Sequence, residues 1–572
     1  MRRWTGLQAA ILASTIFVAC DRETQQEIAA ADTVFTNGYV YTVDPGRSVA
    51  EAVAVRGGLI EFVGSNEDVQ AYIAADTEVI DLEDQMLLPG FHDSHTHILI
   101  GDAADEECDL MNLETVAAVE AKLRECTSLA GIGEERWIIG SGWAAYLWPK
   151  SEPDKAILDK LFPERPVVLS SSFGHTLWVN SRAMEIAGIH AETHVGDDGV
   201  IVRDPETGAA TGAFHDAAML LFQDLVPEFS NEYEQRRILT TVSMAHRLGV
   251  TAVIEPGLDE ELLQPLLGLN DAGKFDLRAK VSLSPINWQS GAFDDGVYEF
   301  LARRAQWHRP NIDVDSVKIY LDGVIESGTG ALLEPYEDRS LGLGPRYYTQ
   351  EKLDEYVSRF DAMGLQVHVH SIGDAAVRMA LDAFEAARAA NGVTDNRHHM
   401  THLQLIAEED LPRFGQLDVG ASFQTLWAYP DPAAIELDVP MIGEERTWKM
   451  YPLASLHNAG GRINGASDYY VTSMNPLLAM EVGITRQDPY TNTGPVLNEN
   501  ERVDLATMID AYTINGAYTM KLDDRQGSIE VGKRADLVVV NRNLFELDPY
   551  EISDAYVTMT FFDGRTVYQR SD

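Results

Sequence analysis

Cysteine is nearly missing from this chain of 572 residues, which has three: Cys20, Cys108 and Cys126. None has a second Cys or a close His at metal-site spacing, which argues against a thiolate zinc site and a thiol nucleophile. Positive charge is scarce as well. The 44 Lys and Arg stand against 90 Asp and Glu, giving a net charge of −46. Such a surface repels nucleic-acid phosphates and anionic lipid, so a nucleic-acid partner is not expected. No internal repeat or low-complexity tract occurs, and beyond the first twenty residues no apolar run is long enough to cross a bilayer. What is present is ordinary for a folded protein: 45% apolar and 23% charged residues. The length allows several domains, or one large α/β barrel with additions.

The N-terminus differs from the rest. Arg2 and Arg3 precede a mostly apolar stretch, Leu7 to Ala19, that closes Phe17-Val18-Ala19-Cys20. This reads as a secretory signal over residues 1–20. It is too short to span a membrane comfortably. Cys20, followed by polar Asp21-Arg22-Glu23, is similar to the lipid-accepting cysteine of bacterial lipoproteins, although Phe17 stands where Leu is usual; a plain signal cut near Ala19 or Ala30 is the alternative. The expected location is the periplasm or cell envelope, with membrane attachment only through that lipid.

Residues 33–88 are short and strand-like, with Gly57-Gly58 as a turn. The C-terminal stretches Ala535–Asn541 and Ala555–Tyr568 share that character, with Asp563-Gly564 as a turn. We therefore expect a composite β-sandwich from 33–88 and 528–570. Between them, residues 89–527 alternate apolar strands with amphipathic helices. Eight candidate strands stand out: Leu87–Asp93, Val250–Glu255, Arg278–Leu283, Ser316–Leu321, Leu365–His370, His398–His402, Val419–Phe423 and Arg462–Ser467. Eight βα units predict a closed (β/α)8 barrel of the TIM type. The long gap after strand one predicts an insertion over about 98–231.

Catalytic groups of such barrels lie at the C-terminal ends of the strands. Those ends carry His95-Thr96-His97, Lys318, His370, His402 and Asp468. Alternate residues of a strand share a side, so an H-x-H pair presents two imidazoles to one ion. Two more histidines and a carboxylate complete a site for a divalent metal.

The segment Leu87-Leu88-Pro89-Gly90-Phe91-His92-Asp93-Ser94-His95-Thr96-His97 resembles the opening metal motif of the amidohydrolase superfamily. Val317–Gly323, Val367–Asp374, Arg397–Gln404, Ser422–Trp427 and Asn464–Asp468 are similar to its family 3 branch, that of the YtcJ-like proteins and N-substituted formamide deformylase. Gly527–Val540 resembles the superfamily's return into its β-sandwich. The resemblance implies that His95 and His97 bind one metal, that Lys318 is carboxylated and bridges two metals, and that His370 and His402 hold the second. It implies that Asp468 binds metal and serves as general base. One or two Zn2+ are implied, with Mn2+ or Fe2+ as alternatives.

Several residues carry a plainer reading. Lys318 has Asp322 as an alternative ion-pair partner. His368 reads as a packed core residue, His398 and His399 as supporting or structural, and His92 as scaffold. Asp374 either orients a ligand or caps a helix. His457, His308 and His246 read as ordinary helix or surface positions. In the insertion, His175 resembles a family residue that reaches the substrate carbonyl. Gly140-Ser141-Gly142-Trp143 also resembles the family, but Ala144 and Ala145 stand where an Asp often follows, which implies a more apolar pocket. Thr401 stands where Glu is common. Trp143 and Trp427 are candidate substrate contacts, and Tyr429 a further wall.

The expected activity is hydrolysis of a non-peptide C–N bond in a small amide, an N-acyl or N-formyl compound. A cyclic amide, a carbamate or a dipeptide-like substrate is the alternative. A non-catalytic, metal-stabilised binding lipoprotein is a third reading. The sequence leaves a homodimer open. Cys108 and Cys126 are expected to pair, since an exported chain folds where thiols oxidise. The helix read between them, 112–124, would hold its ends apart unless the flanking chain folds back.

Overall fold

The computed structural model describes residues 29–571, apart from 101–106, 112, 173, 197–198, 228, 285–295 and 432–433. The signal segment and Cys20 lie outside the described residues. At the centre are eight parallel strands: Phe91–Asp93, Val250–Leu258, Arg278–Leu283, Ile312–Tyr320, Gln366–Ser371, His399–His402, Gly420–Gln424 and Arg462–Ala466. Each pairs with its neighbour in chain order. The strands are buried almost throughout, because helices cover one face and packed side chains fill the other. Strand eight meets strand one through Ser94 N–H to Gly465 C=O (2.9 Å) and Asp468 N–H to His95 C=O (2.8 Å).

The intervening helices follow from capping and periodicity. Gln350–Ala362 starts where Thr349 accepts a hydrogen bond from Lys352 N–H, and it buries Leu353, Tyr356, Val357 and Phe360 on one stripe. Asp374–Asn391 lays an alanine-rich face beside it.

The expected first strand, Leu87–Asp93, is two strands in two sheets. Met86–Pro89 pairs with Leu537–Val540 and Tyr39–Tyr41, whereas Phe91–Asp93 pairs with the second barrel strand. The break falls at Gly90, where a Cβ would sit 2.2 Å from Thr251 Oγ1, so only glycine lets the chain pass so close.

Both termini contribute to two further sheets. One has four strands from residues 33–81; the other has six and joins Tyr39–Tyr41, Val49–Ala50 and Met86–Pro89 to Leu537–Val540, Val557–Phe562 and Arg565–Gln569. They share a core in which Phe35 and Phe561 meet edge to face at 4.9 Å. Arg278 of barrel strand three ties this region to the barrel, bonding Asp536 at 2.8 Å and Asp563 at 2.6 Å.

Between barrel strands one and two lies a six-stranded sheet, in the order Gly199–Arg203, Ala210–Asp216, Thr176–Val179, Val167–Ser171, Ile138–Trp143 and Cys108–Asp109. The helix of this region runs Val116–Cys126, with Thr115 as its N-cap. Cys126 ends that helix against the Cys108 strand, and the two cysteines form a disulfide with Cα atoms 5.5 Å apart. The helix starts later than the sequence suggests, and the chain before it supplies the return that the pairing needs. No helix among the described residues is long and apolar enough to cross a membrane.

Candidate active site

The residues at the strand ends converge. Asp468 Oδ1 lies 3.3 Å from His95 Nε2 and 3.2 Å from His97 Nε2, and Asp468 Oδ2 is 3.8 Å from His402 Nδ1. Ligand atoms of His95, His402 and Asp468 all fall within 4.8 Å of one another. The His370 ring centroid is 4.4 Å from that of His402. His95, His97, Lys318, His370, His402 and Asp468 all line one cavity of about 440 Å³.

Backbone conformation helps aim these groups. His402 has φ +78° and Asp468 φ +53°, left-handed values that non-glycine residues rarely adopt. Such strain persists where the surroundings hold a side chain in a required place.

Each imidazole has a fixed outer partner. His95 Nδ1 is 2.8 Å from His368 Nε2, and His368 Nδ1 is 2.9 Å from Ser282 Oγ. His370 Nε2 faces the Gly323 carbonyl at 3.1 Å, and His402 Nδ1 faces Gln424 Oε1 at 3.2 Å. The Gly323 carbonyl can only accept, so His370 holds its ring proton on Nε2 and leaves the Nδ1 lone pair for a metal.

The electrostatics suit that role. Burial, with Lys318 nearby, drives His95 down to about 3, and burial first of all keeps His370 and His402 well below the usual imidazole range. Burial also pulls the Lys318 amine down to about 7 against the attraction of Asp468. Burial works against ionisation of Asp468, but the surrounding imidazoles, His95 foremost, outweigh it and hold the carboxylate well below its normal range. Neutral imidazoles, an ionised carboxylate and a poised amine form a donor set that fits a divalent metal.

Lys318 lies over the Tyr320 ring, its Nζ 4.9 Å from the centroid. Asp322, its alternative partner, instead accepts from the backbone N–H groups of Ala331, Ile372 and Gly373 at 2.9–3.1 Å.

His175 reaches the same space from the insertion. Its ring is 5.6 Å from His370, and its Nδ1 is 2.8 Å from Asp216 Oδ1. Burial opposes protonation of His175, but Asp216 overcomes it and raises the imidazole above its usual value. Trp427 stacks parallel on His402 at 5.7 Å and lines a second cavity, which His175, His370, His402 and Asp468 also line. Trp143, expected at the substrate, lies elsewhere. It is fully buried in the insertion against Trp148 and Trp178, with its Nε1 donating to the Leu169 carbonyl.

Other histidines take scaffold positions. His92 contacts the Gly90 carbonyl and Gln526, His398 pairs with Asp361 at 3.1 Å, and His246 donates to the Asp276 carbonyl. Asp374 does not cap its helix; its Oδ1 accepts from Leu333 N–H at 2.8 Å. His308, with Asp313 and Asp315, forms a half-buried group at the start of barrel strand four, where Lys280 and Arg304 bind the two carboxylates.

Sequence reasoning passed over Glu255, Asp216 and the supporting role of His368. Glu255 Oε1 is 3.9 Å from His97 Nδ1, and burial raises its carboxyl well above the usual range. Its signal was present, a carboxylate directly before Pro256-Gly257 at the end of an apolar strand. Asp216 carries no such signal, because its pairing with His175 spans two strands of the insertion sheet.

Comparison with known proteins agrees with this geometry. Residues 78–568 match the pattern of the amidohydrolase family. The chain is 30% identical over 550 residues to the protein LONG AFTER FAR-RED 3 of Arabidopsis thaliana, covering 94% of this chain and 92% of that one. It is 28% identical to YtcJ of Bacillus subtilis and 26% identical to an N-substituted formamide deformylase of Arthrobacter pascens, each over 94% of this chain and 99% of the relative. A metal-dependent hydrolase from Pyrococcus furiosus shares the fold, with TM-score 0.67 and 23% identity over 91% of this chain and 99% of that one. With five of the eight strand ends delivering histidines, a lysine and a carboxylate to one cavity, and with residues 78–568 matching its pattern, the chain belongs to the amidohydrolase family.

Proposed function

We propose that this protein hydrolyses a C–N bond other than a peptide bond in a small N-acyl or N-formyl compound. The observation that carries the reading is the Asp468 carboxylate, held ionised within 3.3 Å of both His95 Nε2 and His97 Nε2 at a cavity wall. His95, His97, His370, His402 and Asp468 would hold one or two divalent ions, zinc by the character of the donors, with Lys318 as a carbamate between them. Such an ion supplies Lewis acidity that polarises a carbonyl and acidifies water.

The chain's own groups divide the remaining work. Asp468, ionised and facing the cavity, accepts the proton of the attacking water and returns it to the departing amine nitrogen as the C–N bond breaks. His175, oriented by Asp216 and raised by it above its usual value, donates a hydrogen bond to the carbonyl oxygen as negative charge develops there. Trp427, Ile372 and Val471 give the cavity apolar walls that exclude water from the bond under attack. The name of the Arthrobacter pascens relative supports an N-substituted formamide as a substrate class.

We also propose export, supported by the basic and apolar N-terminal stretch ending at Cys20 and by the Cys108–Cys126 disulfide. The metal-loaded protein should hydrolyse N-formyl or N-acyl amines in a panel that also holds lactams, carbamates and dipeptides. Turnover confined to lactams or dipeptides would replace this reading with the cyclic or dipeptide-like one.

A further inference from the structure

We propose that the cavity end formed by Glu326, Asp438 and Gln404 is a recognition subsite for a cationic group of the substrate, an alkylammonium or a guanidinium. The inference deepens the amide-hydrolase reading and rests on it for the position of the scissile bond.

The three side chains come from separate places in the chain. Glu326 lies in the loop after barrel strand four, Gln404 just beyond strand six, and Asp438 at the end of the turn Ala434–Asp438. All three line the cavity that His175, His370, His402 and Asp468 also line. Each presents a buried oxygen with no hydrogen-bond partner: Glu326 Oε2, Asp438 Oδ1 and Gln404 Oε1. Asp438 is 2% exposed and Gln404 4%. Gln404 Nε2 lies 2.9 Å from the Tyr451 hydroxyl, and the Gln404 amide also shares a side-chain hydrogen bond with Glu326, so the two side chains are neighbours.

The three side chains line one cavity and each has an unpaired buried oxygen. Among the described residues lining this cavity there is no lysine or arginine; Lys318 and Arg237 line the separate space that His95 and His97 also line. A buried acceptor left unpaired costs about 1–3 kcal/mol, and more when charged, so a folded protein rarely keeps three together without a use. Two carboxylates with an amide oxygen offer more acceptors than a neutral ligand can satisfy. An ammonium brings three donors and a guanidinium five, with the charge that offsets both carboxylates. Burial, and for Asp438 the neighbouring Glu326, raise both carboxyls when no cation is present, as expected of a pair awaiting one. Val324 and Ile372 line the same cavity, which fits an apolar spacer joining the cation to the amide. The net charge of −46 draws cations toward the cleft.

Calorimetric titration of the metal-loaded protein with butylguanidinium and with pentan-1-ol tests the subsite without turnover. The cation is expected to bind at least tenfold more tightly than the alcohol. Asp438→Asn and Glu326→Gln should each pull that ratio toward one, in protein whose circular dichroism and melting match the parent. Equal binding of the two probes by the parent overturns the proposal even if neither variant folds. An unchanged ratio in both folded variants, or tighter binding of Mg2+ or K+ than of butylguanidinium at this end, also overturns it. A preference for butylguanidinium in protein that hydrolyses no amide sustains the subsite and sinks the amide reading alone.

Discussion

His95 and His368 meet ring to ring, Nδ1 to Nε2 at 2.8 Å, and His368 is itself anchored to Ser282 Oγ. The contact therefore fixes the orientation of His95, proposed above as a metal ligand, and couples its tautomer to that of His368. His368→Phe should lower metal affinity by about 10–100-fold while leaving the barrel folded, as measured by competition with a chelator. Parent-like affinity in the folded variant would remove His368 from the site.

Burial brings the Lys318 amine to about 7, so a large share is neutral at physiological pH, and only the neutral amine adds carbon dioxide. The sign follows: at constant dissolved carbon dioxide, the initial rate of carbamate formation in metal-free protein should rise about tenfold per pH unit below 7 and level off above it. A carbonyl signal in 13C NMR of protein given labelled bicarbonate, absent in Lys318→Ala, is the expected observation. The same signal in Lys318→Ala, or none in the parent above pH 8, would argue that no carbamate forms.

Asp216 raises His175 by a charge-assisted hydrogen bond of 2.8 Å that outweighs burial. If protonated His175 polarises the substrate carbonyl, kcat/KM falls as pH rises through its raised value. Asp216→Asn removes the partner and should move this alkaline limb to lower pH, with a loss of about 10–100-fold in kcat/KM at pH 7. A limb that stays in place would assign it to another group.

How far the sequence carries the reader depends on the length scale of the signal. The eight barrel strands are legible because short stretches with buried apolar residues alternate with amphipathic helices, and His95, His97, His370, His402 and Asp468 are legible because each falls at or near the end of such a stretch. Arg278–Leu283 is placed to the residue. The Leu87–Asp93 stretch is misread as one strand because its break at Gly90 depends on Thr251, far along the chain. Trp143 is misplaced for a similar reason: nothing local separates a ring that walls a substrate from one that fills a core. The partners of the site histidines, His368, Asp216 and Gln424, arise from strand register. The acceptors at Glu326, Gln404 and Asp438 are drawn together only by loops, so no spacing announces them.

The role of Asp468 is the most direct test of the whole account. Asp468→Asn keeps the shape and one oxygen but cannot take a proton. The account predicts that metal analysis finds most of the metal still bound, while kcat for an N-formyl or N-acyl amine falls by about 10²–10⁴-fold. Turnover near the parent level in the metal-loaded variant would contradict it.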